Sequence, residues 1–284
     1  MAVTPPPSVA LLGAGYTLTR LAEKLTPGTF VMTSRSDERC AAWRQRGWLA
    51  AKLDLSHAPE VEAFFSQYPE LSVVIDSVPP LRESKDPASG VKLVAQAVKQ
   101  SHITQVIYLS TTGVFGVRDG SLVNEASPPA PWNPQGEARF QSELAYRMSG
   151  KPVCAMRLPA IYGFDRGVLH SVRNGTYRLI GAGENWTNRI HVADLVMTLE
   201  HALRCPHLPE VLCVSDDMPA RARDVVSFIC EHDGLPIPPS LSEEEALRIG
   251  AYTMLSNQRV VNNKLKETLG IQLQYPSYRE GLYG

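Results

Sequence analysis

A doubly wound α/β sheet is the fold class that this sequence predicts. Three observations carry that prediction: short apolar runs alternate with stretches of helical periodicity, several runs are apolar on both faces, and Gly or Pro marks the changes between them. Val9-Ala10-Leu11-Leu12 is an apolar run ended by Gly13-Ala14-Gly15, after which Leu18, Leu21, Ala22 and Leu25 recur at helical spacing until Pro27 and Gly28 stop them. The pattern then repeats. Thr29 to Ser34 reads as a strand, Asp37 to Arg46 as a helix, Trp48 to Leu53 as a strand, Pro59 to Tyr68 as a helix and Leu71 to Ser77 as a β-branched strand. Parallel strands need such crossover helices, so the alternation implies parallel pairing. A helical stretch from Pro87 to Ser101 leads to the strand run Val106 to Ser110, and after a long loop come a helix near Gly136 to Ser149 and a strand from Val153 to Leu158. Val73-Val74-Ile75 needs apolar cover on both sides, as a sheet between two helical layers provides. Beyond Gly163 the regularity breaks into Arg173-Asn174-Gly175 and Gly181-Ala182-Gly183, and the Pro-rich segment Leu235 to Pro239 precedes two helical stretches. The expected division is a sheet domain over 8–163 plus 188–216, a smaller C-terminal region over 164–187 plus 217–284, and a flexible leader over 1–7 containing Pro5-Pro6-Pro7.

With 284 residues, 44% of them hydrophobic and 20% charged, the chain is long enough to bury a sizeable core, which excludes a disordered or fibrous protein. Twenty-eight Lys plus Arg against 29 Asp plus Glu leave a net charge of -1, so no global basic field draws nucleic acid or an anionic membrane. The five cysteines show no C-x-x-C spacing and the seven histidines no metal-ligand spacing, which argues against a disulfide framework or a zinc site and for a reducing cytoplasm. No run approaches the roughly 20 apolar residues that cross a bilayer. The expected partner is a small molecule, and the expected state is a monomer or homodimer.

Gly13-x-Gly15 follows a predicted strand and opens a helix. Backbone N–H groups and the positive helix end can hold a pyrophosphate in that setting, with Tyr16, Thr17 and Leu18 forming the first turn beneath it. The third position of G-x-G-x-x-G is Leu18 rather than Gly. The ribose end of a dinucleotide is read at the close of the second strand, here Ser34-Arg35-Ser36, with Arg35 standing 22 residues beyond Gly13. An Arg flanked by hydroxyls suits a 2'-phosphate, so NADP is expected, with NAD possible; the alternative is a solvated Arg35 with Asp37 taking the ribose. Asp54 and Leu55 stand where such folds approach the adenine, and Asp76-Ser77-Val78, after the fourth strand, would line the cofactor cleft.

Read together with Leu109-Ser110-Thr111-Thr112-Gly113-Val114-Phe115-Gly116, Arg157-Leu158-Pro159-Ala160-Ile161-Tyr162-Gly163 and Arg189-Ile190-His191-Val192-Ala193-Asp194-Leu195, these pieces resemble the extended short-chain dehydrogenase/reductase family, the NAD-dependent epimerase/dehydratase group. The C-terminal runs Ser256-Asn257-Gln258-Arg259-Val260 and Tyr275-Pro276-Ser277-Tyr278-Arg279-Glu280-Gly281-Leu282 resemble its YeeZ-type branch. The resemblance implies a Rossmann-type domain, a bound nicotinamide dinucleotide touched also by Ser110 and Leu158, and a substrate-binding C-terminal region.

That family uses a Ser or Thr after the fifth strand to position substrate, and a Tyr with a Lys four residues later for proton transfer. Thr111 matches the first role. Arg139 stands at the Tyr position and Glu143 at the Lys position, and neither does the family's chemistry: an Arg keeps its proton near neutrality and a Glu lacks the positive field. The two are either an altered active-site pair or a helix ion pair worth roughly 0.2–0.5 kcal/mol. Tyr146, two helical turns on, has no Lys behind it. His191 is the remaining catalytic candidate, or else a packing residue. Glu125 and Arg166 could face the cleft, and the Arg that grips the diphosphate in nucleotide-sugar epimerases is replaced here by Thr187, with Arg189 the nearest Arg. Two functions of different class follow. One is an NADP-dependent oxidoreductase or epimerase acting on a small polar or sugar-like substrate; the other is a non-catalytic dinucleotide-binding redox sensor or scaffold.

Overall fold

Val9–Leu12 (β1) buries all four residues, as a strand covered on both faces must. The computed structural model describes residues 8–81, 84–163 and 165–284; the expected leader over 1–7 lies outside the described residues. After β1 come α1 (Tyr16–Ala22), β2 (Phe30–Ser34), α2 (Asp37–Gln45), β3 (Leu49–Lys52), α3 (Ala58–Gln67), β4 (Val73–Asp76), α4 (Ser89–Gln100), β5 (Gln105–Thr111), α5 (Pro134–Arg147), β6 (Val153–Leu158) and, after a helix over Val192–Arg204, β7 (Val211–Cys213). The seven strands form one sheet in the order β7-β6-β5-β4-β1-β2-β3. β1 pairs in parallel with β2 and β4, placing Leu11 between Met32 and Ile75, and the β2–β3 and β4–β5 pairs are parallel too. The strand order runs one way from β1 and the other way from β4. The sheet is therefore doubly wound, with its switch point between the carboxyl ends of β1 and β4.

Local chemistry sets the element ends. Ser36 accepts a hydrogen bond from Arg39 N and starts α2, with Asp37 and Glu38 in its first turn complementing the helix dipole. The helical spacing that included Leu25 ends earlier, because after Ala22 the chain tightens into turns closed by Lys24 N to Leu21 O and Leu25 N to Ala22 O. On one face of the sheet Val61, Phe64 and Phe65 of α3 and Val91, Val94 and Val98 of α4 pack over Ala10, Leu12 and Val74.

The chain forms two compact units, Met1–Ser110 with Glu137–Met156 and Val196–Leu212, and Thr111–Gly136 with Arg157–Leu195 and Cys213–Gly284. The expected boundaries at 163/164 and 187/188 do not coincide with these. The second unit is tied by short ladders between segments distant in sequence: Ala160–Tyr162 beside Arg189–His191, and Leu122–Val123 beside Arg259–Val260. Its core gathers Tyr162, Leu169, Val172, Val225, Ile229 and Tyr278. Among the described residues, no helix is long and apolar enough to cross a membrane.

Candidate functional site

The first unit's site forms where β1 and β4 part. Gly13 turns the chain at φ 66°, and a Cβ there would come within 2.5 Å of Val78 Cγ2, so both backbone and space require glycine. Its N–H donates to Thr33 Oγ1 at 3.1 Å, and Ala14 N donates to Thr33 O at 2.9 Å, which moors the turn to β2. Gly15 differs: a Cβ there would meet nothing closer than Gly13 O at 3.8 Å. It opens α1 without a side-chain cap and without an acidic residue in the first turn, leaving a bare, electropositive approach. Leu18 is fully buried, so a core side chain fills the place of the third glycine. Thr17 is buried beside it, while the Arg20 guanidinium lies 3.9 Å over the Tyr16 ring.

At the end of β2, Ser34 Oγ accepts from Ser36 N, and Ser36 Oγ caps α2, so both hydroxyls accept locally. Arg35 is exposed and makes no hydrogen bond or ion pair among the described residues. Asp37, the alternative ribose ligand, bonds Lys52 Nζ at 2.7 Å. After β3, Asp54 accepts from Ser56 N and Oγ, which holds its carboxyl below the usual range, and Leu55 is buried. After β4, Ser77 N donates to Leu12 O at 3.1 Å and Val78 N to Asp76 Oδ1 at 2.8 Å.

Arg139 and Glu143 do not form the exposed helix pair. Arg139 Nη1 donates to Val78 O, Tyr108 Oη and Leu109 O at 3.0–3.2 Å, holding the segment after β4 to β5. Glu143 is fully buried, accepts from Ser110 Oγ at 2.6 Å, and has Arg147 Nη2 at 3.9 Å. Tyr146, set aside as a proton carrier, donates its buried hydroxyl to Asp76 Oδ2 at 2.6 Å, its ring 5.4 Å from that of Tyr108. Burial pushes the Asp76 carboxyl up, opposed by the Tyr146 hydroxyl, the Val78 N–H and Arg139. Sequence reading missed this cluster; the usable signal was an Asp ending an apolar strand together with a Tyr seven residues after Arg139, on one helix face.

The second unit contains a cavity of about 440 Å³. Thr111 and Tyr162 line it, and no Asp or Glu does among the described residues. Thr111 Oγ1 accepts from Gly113 N at 3.1 Å, which leaves its O–H to donate elsewhere. His191 is buried outside that lining, its ring 5.1 Å from that of Tyr162 and 3.9 Å from that of Tyr275, with Nδ1 accepting from Ala193 N. Asp194 accepts from Gln274 N and Tyr275 N, and Glu125 from Cys213 N, so both carboxylates fasten backbone. Leu158, at the end of β6, is buried.

A curated relative, the epimerase family protein SDR39U1 homolog, chloroplastic, of Arabidopsis thaliana, is 23% identical over 202 residues, which is 68% of this chain and 57% of the relative. The matched region thus spans little more than half of that protein. Among solved structures, a functionally unknown conserved protein from Silicibacter pomeroyi DSS superimposes with a TM-score of 0.79 at 28% identity, covering 97% of this chain and 96% of the other. The Bordetella bronchiseptica enzyme WbmG, solved in complex with NAD and UDP, gives 0.78 at 16% identity, covering 98% and 93%, a likeness of fold alone. The family model for NAD dependent epimerase/dehydratase matches residues 11–211. The match runs from inside β1 to the first residue of β7, and this chain belongs to the NAD dependent epimerase/dehydratase family.

Proposed function

We propose that the chain is an NADP(H)-dependent oxidoreductase or epimerase acting on a small polar, sugar-like substrate. The observation that carries this reading is the turn over 13–15, a glycine-only bend followed by an uncapped helix start with open space at Gly15. A pyrophosphate fits there, against the amides of the Gly13 to Leu18 segment. Arg35, exposed between Ser34 and Ser36, suits a 2'-phosphate, with Asp54 and Leu55 on the adenine side and Ser77, Val78 and Ser110 towards the nicotinamide. A bound nicotinamide dinucleotide supplies hydride transfer.

The chain's own groups do the rest. Arg139 acts as a positioning residue: it ties Tyr108 and the carbonyls of Val78 and Leu109. Glu143 fixes Ser110. In the second unit Thr111 presents a hydroxyl hydrogen to a substrate oxygen, and His191 backs the cavity-lining Tyr162.

One observation favours a second reading, a non-catalytic dinucleotide sensor: the residues at both family catalytic positions are satisfied by internal partners. Calorimetry with NADPH tests the shared premise. Gly15→Val, whose Cβ the fold has room for, should block binding without unfolding the chain; unchanged affinity removes the site. Incubation with a panel of sugars, followed both by nicotinamide absorbance for a net oxidation or reduction and by NMR of the sugar for an epimerisation that returns the hydride, then divides the readings, because binding without either change supports the sensor.

A further inference from the structure

The second unit's cavity holds a cation whose hydrogen-bonding capacity the fold leaves partly unused. Arg189 lines it and is only 5% exposed. Its Nη2 donates to Thr187 Oγ1 at 2.6 Å, while Nη1 is buried and finds no acceptor among the described residues. Among the described residues no carboxylate lies within ion-pairing distance of it; its neighbours include the Tyr278 ring, 5.3 Å from the guanidinium carbon, and, farther off, Asp216, Tyr162 and Tyr177. A buried guanidinium with an unmet N–H is costly in a fold with no use for it, and an oxyanion is its best partner. Arg178 adds a second positive charge to the same lining.

Asn185 supplies the complementary cue. Its Nδ2 donates to Met254 O at 3.2 Å and Ser256 O at 3.1 Å, which fixes the amide orientation, and its buried Oδ1 meets no donor among the described residues. The cavity thus offers an unmet donor on a cation and an unmet acceptor on a neutral amide, with hydroxyls of Thr111 and Ser171 also in its lining.

We propose that this cavity takes a polyhydroxy substrate carrying its own carboxylate or phosphate, with the oxyanion on Arg189 Nη1 and a substrate hydroxyl on Asn185 Oδ1. The site is built for a charged sugar acid or sugar phosphate rather than a neutral sugar. This assignment rests on the sugar-like substrate of the proposed function and deepens it by naming the charged group.

Calorimetry on the full chain tests it, with D-glucuronate, D-glucose 6-phosphate and D-glucose as probes. At least one charged probe should bind ten or more times more tightly than glucose, and the better of the two identifies the oxyanion. Arg189→Met should erase that preference. Equal affinity for charged and neutral probes, or a preference that survives Arg189→Met, overturns the proposal; solvent would then suffice for Nη1. Should Arg189→Met fail to fold, Arg189→Gln decides, because it keeps a polar side chain with N–H donors and removes the positive charge. It should weaken charged probes at least tenfold, and undiminished affinity overturns the assignment. NADPH titrations of the same protein keep the two readings apart: nucleotide binding with no anion preference removes this inference alone, whereas anion binding without nucleotide binding removes the cofactor reading alone.

Discussion

Replacing Asp216 by Asn should stabilise the protein, by an amount that grows with pH. Asp216 is fully buried; its Oδ1 accepts from Met218 N at 3.3 Å, and its Oδ2 has no partner among the described residues. Burial pushes the carboxyl up to about 7 against the pull of Arg189 and the Met218 N–H, with Asp217 and Asp194 adding to the push. In the unfolded chain an Asp titrates near about 4. The folded value lies above the unfolded one, so between these values the native state holds a proton that the unfolded chain releases. Stability contributed by the neutral form is therefore lost as pH rises from about 4 to about 7 and levels off above that. At about 1.36 kcal/mol per pH unit, the loss relative to a group that never ionises is roughly 1.5 kcal/mol at about pH 5 and about 4 kcal/mol at about pH 8. Asn keeps the acceptor for Met218 and carries no charge. The stability difference between Asp216→Asn and the parent should thus widen by about 2.5 kcal/mol over that range, on top of a pH-independent offset from the added amide N–H. Urea unfolding of both proteins at matched pH measures it, since titrating groups that do not interact with Asp216 cancel in the difference. A gap that stays flat or narrows as pH rises refutes the reasoning.

Arg35→Ala should weaken NADP binding by about 1.5–3 kcal/mol, the range for hydrogen bonds to a charged group, and leave NAD nearly unchanged; equal losses in calorimetry would make Arg35 structural. Tyr146→Phe removes the donor to the buried Asp76 Oδ2 and should cost about 1–3 kcal/mol in chemical denaturation, with the loss growing as pH rises because Asp76 ionises at greater cost. Arg139→Leu should cost a similar roughly 1–3 kcal/mol by removing the hydrogen bonds to the Tyr108 hydroxyl and to the carbonyls of Val78 and Leu109, and a melting temperature equal to the parent's would show that these contacts carry no weight.

What the sequence determined by itself is what depends on neighbours along the chain. The apolar run Val9–Leu12 needs cover on both faces wherever it sits, and it forms the strand expected of it. Gly13-Ala14-Gly15 between strand and helix is a local conformational requirement, and the motifs from Leu12 to Leu195 point to the family whose model matches 11–211. The tertiary structure decided what depends on residues distant in sequence. Tyr146 meets Asp76 across 70 positions, and Leu122–Val123 pairs with Arg259–Val260, so neither the buried polar cluster nor the division into units has a local signature. Arg189 illustrates the difference most sharply. In the sequence it is one cation among 28, of the kind that most often stays in water, and only folding buries its Nη1 without an acceptor among the described residues. Periodicity records which face of an element avoids water, but the desolvation of a single charge is set by every chain segment that closes around it, and no stretch of sequence contains that sum.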